Sequence, residues 1–396
     1  MAVATGHAYV VGIALGAARC TATTRAGSRA GRPPRPRFRA SEAVARELRG
    51  PGGAFPDREW IKAQPGFVGA QGKTVLDPDF DIEMSDETRD RFLVFHSGNL
   101  AAFAKHYKGH FAASLAHCER VISLYDLARD REAASHYLPS HPFVGTLGVA
   151  AWNLWYLGHP DRSLGRAREG VTLARTLGEP FSLAYALFME TQVHQLRRDW
   201  RAQRERAAEV IALADVQGFP LYRGAGRMYQ GLARVHAGEG ADALTEVAEG
   251  LALAAGSGNR GGLPAVLSAL ADGQRAAGQH AVALRMVESG LTLASDTGQH
   301  FCDAGLFHRK GELLLAIKPA SSGEAEALFR RALDIARAQE ARSFELRAAT
   351  SLARLWQRQG KRAEARALLT PVYAWFTEGL DTRDLIEAKA LLDELT

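Results

Sequence analysis

Apolar and polar positions repeat along most of the chain in blocks of about 40 residues, and each block has the pattern of two helices. One block predicts a first helix over about 181–196 and a second over about 202–216. Its first helix has apolar residues at helical spacing, at Phe181, Ala184, Tyr185 and Phe188. Leu-Ala pairs stand 40 residues apart, starting at Leu173, Leu213, Leu253 and Leu293, and Ile335-Ala336 follows after 42. Such a period is typical of a solenoid, whose units bury their apolar faces against their neighbours.

Helix breaks follow the same period. Five residues beyond each of these Leu or Ile residues comes a break, at Gly178, Gly218, Gly258, Gly298 and Glu340. A glycine just past a helix adopts the left-handed conformation cheaply, and a proline suits the first turn of the next helix. A second glycine marks the turn inside most units, but the third unit has Arg198 there. No run alternates with period 2, so no sheet is predicted.

Each unit is similar to a tetratricopeptide repeat lengthened by about six residues. In that motif small residues let helices approach closely and a bulky residue fills the gap between units, as in the set Gly231, Gly238, Ala243, Val247 and Gly250. A final helix over about 382–395 is predicted to cap the stack, since an end unit would otherwise expose its apolar face. The predicted fold is therefore all-α: a right-handed superhelical solenoid of about seven tetratricopeptide-like helix pairs plus a C-terminal capping helix.

The chain divides by composition into two parts. Residues 1–60 carry ten arginines against four acidic residues, and residues 61–90 carry three basic against seven acidic residues. Residues 1–60 have no sustained apolar period that could offset the entropy of ordering them, and residues 61–90 are rich in turn-forming residues. We therefore predict a disordered Arg/Pro/Gly-rich arm and acidic linker over 1–90, followed by the repeat domain over 91–396.

Charge, hydropathy and cysteine content limit the classes of partner and the compartment that the sequence predicts. The repeat domain holds 36 basic against 33 acidic residues, so it lacks the positive field that nucleic-acid binding requires. No apolar run approaches the roughly 18 residues of a membrane span. The three cysteines, Cys20, Cys118 and Cys302, form no metal-ligand spacing and suit a reducing compartment. We predict a cytoplasmic protein whose partner is a protein or peptide, or a small effector, with no nucleic acid and no membrane.

Candidate catalytic and metal motifs are weak. The Gly-Lys-Thr segment at 72–74 is one residue out of register with a phosphate-binding loop, because Phe67 stands where GxxxxGK[ST] needs its first glycine. His106 and His110 have i, i+4 spacing, but no HExxH glutamate accompanies them, so surface or cap histidines are favoured. Trp152, Trp155 and Tyr156 are interpreted as a core stripe of a first helix, with an aromatic binding platform as the competing interpretation. We predict no catalytic residue, no cofactor, no metal site and no enzyme activity.

Three stretches go beyond generic repeats, at 308–315 (HRKGELLL), 344–356 (FELRAATSLARLW) and 373–382 (YAWFTEGLDT). They resemble the C-terminal repeat region of bacterial proteins that carry a class III adenylate/guanylate cyclase domain, an AAA-type ATPase domain and tetratricopeptide-like repeats. The resemblance covers about residues 91–396, and the family's metal-binding aspartates and Walker loop have no counterpart here. It implies the sensor arm of such a signalling protein without its catalytic domains.

Two functional classes remain open. The first is a non-catalytic regulatory scaffold whose concave face binds a peptide, a partner domain or a small effector. The alternative is a fragment of a nucleotide cyclase or signalling ATPase that is classed as an enzyme only through its relatives. In tetratricopeptide arrays the first helices line the concave face. Carrying that register onto this chain predicts a groove lined by Tyr185, Phe188, Gln192, Gln195, Met228, His236, His308 and Glu312. For Tyr185 and Phe188, packing against the preceding unit is the competing interpretation.

Overall fold

The computed structural model describes residues 91–130, 140–255 and 262–396. The predicted arm and linker, the Gly-Lys-Thr segment and Gly258 lie outside the described residues. Fifteen helices with defined bounds form seven antiparallel pairs and a final helix, confirming the all-α solenoid. They are α1 Arg91–Tyr107, α2 Phe111–Leu124, α3 Pro142–Tyr156, α4 Pro160–Leu177, α5 Pro180–Arg197, α6 Trp200–Gln217, α7 Pro220–His236, α8 Gly240–Ala255, α9 Leu263–Ala276, α10 His280–Thr297, α11 Asp303–Ile317, α12 Ser322–Ala338, α13 Arg342–Arg358, α14 Arg362–Ala374 and α15 Arg383–Glu394.

Helix ends follow from the turn residues. Prolines occupy the first turn of α3, α4, α5, α7 and α9, where the missing N–H costs nothing. Positive-φ glycines close helices or turns in most units. The two breaks without glycine keep the same backbone, because Arg198 has φ 59° and Glu340 has φ 55°. A non-glycine residue in this region costs roughly 1–3 kcal/mol, so other contacts must hold these two positions.

Small residues set the spacing of neighbouring helices. The clearest case is the crossing of α7 and α8, where Gly224 and Gly250 let the two backbones touch. A Cβ on Gly250 would lie 2.4 Å from the amide nitrogen of Met228. A Cβ on Gly224 would lie 2.5 Å from the amide nitrogen of Ala254. This close approach confirms that Gly250 is a packing position of the repeat.

The solenoid turns far enough for its last units to touch its second and third. Ser343, at the start of α13, donates a hydrogen bond to the backbone oxygen of Trp155, 2.5 Å away. The Arg347 guanidinium lies 4.8 Å from the centre of the Trp155 ring and donates to the backbone oxygen of Leu196 at 2.6 Å. The same guanidinium bonds the carboxylate of Asp384 on α15 at 2.8 Å.

Arg198, at the end of α5, also contacts α15. Its guanidinium reaches Asp384 at 3.1 Å and Glu387 at 2.9 Å, across 186 and 189 residues of sequence. We call the contacts of Trp155, Leu196 and Arg198 with Ser343, Arg347, Asp384 and Glu387 the closure. The left-handed backbone of Arg198 is held by the helix-cap bond of its amide to the oxygen of Gln195 at 3.1 Å, and two ion pairs fix its guanidinium on the capping helix.

The loop before α15 adds a second set of contacts. A carboxylate oxygen of Glu378 accepts from the amides of Asp161 and Arg162, each at 3.0 Å, at the N-terminus of α4. These amides have no partner inside their own helix, and a carboxylate there also interacts favourably with the helix dipole. In return the Asp161 carboxylate accepts from the amide of Gly379 at 2.7 Å.

Among the described helices, none combines the length and apolarity needed to cross a bilayer.

Candidate functional site: a cavity inside the solenoid

A cavity of about 800 Å³ occupies the centre of the solenoid. Its walls come mainly from the first helix of each pair, α1, α3, α5, α7, α9, α11 and α13, together with α15. Leu251 and Ala254 are the contribution of a second helix, α8. The volume falls within the ~300–1,000 Å³ of typical small-molecule sites.

The structure brings most of the predicted groove residues to this cavity. Six of the eight line it: Phe188, Gln192, Gln195, Met228, His308 and Glu312. Tyr185 is buried at 3% exposure and packs between helices away from the cavity. His236 stands one layer behind the wall, with its ring stacked on Trp200 at 3.9 Å and its Nε2 3.4 Å from Asp272. Whether these residues bind a ligand stays a prediction.

One end of the cavity is aromatic. Trp152, Tyr156 and Phe301 surround the ring of His106, with ring centres 5.2–5.5 Å away. His106 Nδ1 donates to the side-chain oxygen of Asn153 at 2.8 Å, since the Asn153 amide group donates elsewhere. The expectation of a surface or cap histidine is wrong for His106, which is 1% exposed. Helical spacing alone did not show that aromatic residues from three units meet around it.

Buried charge forms another part of the wall. Asp272 on α9 takes the guanidinium of Arg309 from α11, that of Arg275 at 3.1 Å, and the ring of His236. Burial alone would raise the pKa of Asp272, but these partners hold it well below its usual range. Asp272 is therefore ionised and fixes two cavity-lining arginines in place.

His308, Ser351 and Glu312 form a hydrogen-bonded group in the wall. His308 Nε2 lies 2.8 Å from the Ser351 hydroxyl and 3.7 Å from Glu312, and the hydroxyl lies 3.4 Å from the same carboxylate. In a nucleophilic triad the carboxylate holds Nδ1, so that Nε2 is free to take the proton of the nucleophile. Here the carboxylate lies on the same Nε2 side as the serine, beyond hydrogen-bond distance, and Ser351 lies inside α13, where backbone amides are engaged in the helix. This geometry positions polar groups and does not activate the serine.

The residues that sequence reasoning missed share a spacing of nearly one unit. Arg309 and Asp272 are 37 residues apart, and so are Arg347 and Asp384. Gln192 and Tyr229, whose side chains bond at 3.1 Å, have the same separation. The sequence signal for these contacts is therefore a pair of complementary polar residues about one unit apart, both on helices that line the cavity.

The buried histidines predict a loss of stability in mild acid. Burial lowers the pKa of His106, His141 and His308 from 6.5 to about 4 in each case. Between these values the unfolded chain binds more protons than the folded one, so stability falls as pH decreases from 6.5 towards 4. Each histidine should remove about 1.4 kcal/mol per pH unit in that window. Urea unfolding at pH 7, 6 and 5 measures the slope; His106→Gln should reduce it by one histidine's share, and identical slopes would contradict the assignment.

The fold and the cavity define this chain as an all-α tetratricopeptide-like solenoid. No family model matches it, and no curated protein matches its sequence significantly. Similar solved structures include apo RapI, with 12% identity and a TM-score of 0.44 over 76% of this chain and 99% of that one. A Rap protein complexed with competence and sporulation factor has 10% identity and a TM-score of 0.49 over 78% and 87%.

A signal transduction ATPase with a tetratricopeptide repeat sensor, from Pyrococcus horikoshii, is also similar, at 13% identity and a TM-score of 0.38. The match covers 77% of this chain and 45% of that protein. Identities and TM-scores at this level carry no argument about function, so the assignment to the solenoid class rests on the helix pairs themselves.

Proposed function

We propose that this chain is a non-catalytic regulatory solenoid that takes up a short peptide or a small effector in its central cavity. The observation that carries the proposal is the cavity of about 800 Å³ whose lining combines an aromatic cluster with a set of paired charges. Apolar walls with a few fixed polar groups are what small-ligand sites require. The closure lies against this cavity, because Arg198, Arg347, Asp384 and Glu387 also line it. A bound ligand can therefore bias the contact between distant units, which is the property a sensor needs.

The alternative, an enzyme fragment, has less support from the described residues. Within residues 91–130, 140–255 and 262–396 no group of three metal-ligating side chains occurs. The His308–Ser351 contact lacks the triad geometry. The sensor-arm hypothesis for a cyclase- or ATPase-type signalling protein rests on the resemblance of the stretches at 308–315, 344–356 and 373–382. An in-frame cyclase and ATPase coding region immediately upstream in the genome would support it, and a complete unrelated gene there would oppose it.

Binding in the cavity can be tested with phenylnaphthylamine, an uncharged dye that fluoresces in apolar sites. We expect saturable binding to the full chain. Ser268 lines the cavity without a role in the core, so Ser268→Trp should narrow the cavity and weaken dye binding. Dye binding that is unchanged in this variant would show that the cavity is not the site.

A double substitution tests whether Phe188, in the third unit, lines the cavity or packs in the core. Phe188 is half-buried and lines the cavity, 6.0 Å from the rings of Tyr222 and Tyr229. Phe188→Ala with Gln192→Ala should leave the fold intact, cost about 2 kcal/mol, below the 3–5 kcal/mol of a core phenylalanine, and weaken dye binding several-fold. Urea unfolding and dye titration measure the two effects. A loss above 3 kcal/mol with unchanged binding would assign Phe188 to the core instead.

A further inference from the structure

The charges lining the cavity do not cancel. Five arginines and four carboxylates face it: Arg198, Arg275, Arg309, Arg347 and Arg354 against Asp272, Glu312, Asp384 and Glu387. Two histidines that also line it, His106 and His308, have pKa values lowered to about 4 by burial and are neutral at pH 7. The lining therefore carries one net positive charge.

That positive charge can be assigned to one residue. Arg198 and Arg347 are paired with two carboxylates, those of Asp384 and Glu387. Arg275 and Arg309 share the carboxylate of Asp272, and their second charge is balanced by the nearby carboxylate of Glu312. Glu312 accepts a hydrogen bond from Ser351. Burial would raise the pKa of Glu312, but His308 and the nearby arginines outweigh burial and lower it.

Arg354 lies on α13 one turn beyond Ser351, on the same face of the helix, and it is half-buried. Among the described residues no carboxylate lies within ion-pair distance of its guanidinium. The other four arginines of the wall are neutralised, so a ligand that enters the cavity meets one cation available for pairing.

The lining away from Arg354 has a different chemistry, and Phe344 lies about 15 Å from Arg354 along α13 because ten residues separate them. Trp152, Tyr156, Phe301 and Phe344 present aromatic surface there, and Leu221, Val266 and Met228 continue it along the wall. Removing such surface from water is favourable in proportion to its area, so this part of the lining favours an apolar or aromatic group. Among the lining residues, buried atoms without a hydrogen-bond partner in the described chain include the side-chain oxygens of Gln192 and Gln195 and the Nε of Arg309. A carboxylate head could accept from the Arg309 Nε–H, whereas the two glutamine oxygens are acceptors and need an N–H or O–H group of the ligand.

We propose that the cavity binds an amphipathic monoanion, whose apolar or aromatic body packs against Trp152, Tyr156 and Phe301 and whose carboxylate-type head pairs with Arg354. A planar guanidinium suits a carboxylate because it can donate two parallel hydrogen bonds. The inference rests on the proposed function, since it names the ligand class of the same cavity. The head group can come from a free acyl or aromatic acid or from the C-terminus of a short peptide.

Two dyes of similar shape test the charge requirement. Anilinonaphthalene sulfonate is an aromatic monoanion, whereas phenylnaphthylamine has the same aromatic body without the charge. In Arg354→Gln the sulfonate dye should bind about tenfold more weakly or worse, because a hydrogen bond to a charged group is lost, while the neutral dye should be unaffected. Arg358→Gln is the matched control, one turn further along α13 and exposed, and it should change neither dye.

The outcomes separate the two proposals. Failure of both dyes to bind the wild-type chain, or their binding unchanged in Ser268→Trp, would overturn the proposed function and this inference together. Binding of both dyes, with equal loss or no loss in Arg354→Gln, would overturn only the charge assignment. Circular dichroism of each variant checks that it folds.

Competition identifies the source of the head group and does not depend on any variant. Dodecanoate should displace the sulfonate dye from the wild-type chain better than dodecanol does. An acetylated tripeptide that ends in phenylalanine should compete as the free acid and not as the amide if the source is a peptide C-terminus. If the alcohol competes as well as dodecanoate and the amide as well as the free acid, the anionic head is not recognised and the inference fails.

Discussion

Gly250→Leu is expected to destabilise the protein by about 3 kcal/mol or more, at the upper end of the range for overpacked cores. The reason is that even a Cβ at this position would lie 2.4 Å from the amide nitrogen of Met228 and 2.6 Å from the backbone oxygen of Gly224. Backbone atoms cannot rotate away as a side chain can, so α7 and α8 must separate. Urea unfolding measures the change in the free energy of unfolding.

Gly165 provides a control, because its substitution by alanine is expected to change the free energy of unfolding in the opposite direction. It lies within α4, is exposed, and has nothing within 4 Å of a Cβ built on it. Gly165→Ala should therefore stabilise the protein by about 0.5–1 kcal/mol, because alanine loses less backbone entropy in a helix. Gly250→Ala should already be destabilising. If both alanine variants shifted stability in the same direction, the close crossing of α7 and α8 would be wrong.

Asp384→Asn is expected to open the closure and cost about 2–3 kcal/mol. Removing one partner of a buried ion pair typically costs about 3–5 kcal/mol, and we expect less here because Arg198 and Arg347 keep partial contact with water. Burial would raise the pKa of Asp384, but the two guanidiniums lower it below its usual range. The contribution of Asp384 is therefore complete above pH 4 and is lost as pH falls through its lowered folded-state pKa.

Asp393→Asn is the matched control on the same helix. Asp393 is exposed and pairs with Lys389 one turn away, so its loss should cost less than about 0.5 kcal/mol. Hydrogen exchange gives a second measurement, because Asp384→Asn should deprotect the amides of both α15 and α13. Equal effects of the two substitutions would show that Asp384 is an ordinary surface residue.

Sequence periodicity predicted the helices and their ends well, because both depend on residues that are close together in the sequence. The final helix was expected over about 382–395 and spans Arg383–Glu394, and the pair around 181–216 is correct within two residues at each end. Glu340 replaces glycine without a change of backbone conformation, so the repeat register survives where its signature residue is missing.

The cavity was predictable in outline and the closure was not. First-helix positions of successive units face inward, which is why Phe188, Gln192 and Glu312 reach one cavity. The contact of Arg198 with Glu387 depends on the total rotation of the solenoid between their units. Each intervening unit adds a small rotation, so the sequence of one repeat does not predict the total. Similarly, the burial of His106 depends on Phe301 arriving from a distant unit.

The closure also sets an order of events during synthesis. Arg198 leaves the ribosome more than 180 residues before Asp384 and Glu387, the two carboxylates that neutralise it. Repeat units can fold one after another as they emerge, since each needs mainly its neighbour. Throughout that time the Arg198 guanidinium lacks these two carboxylates, and its left-handed backbone is held by the local bond of its amide to the backbone oxygen of Gln195. The nascent solenoid should therefore remain open at this turn, and its cavity incomplete, until α15 is made and docks.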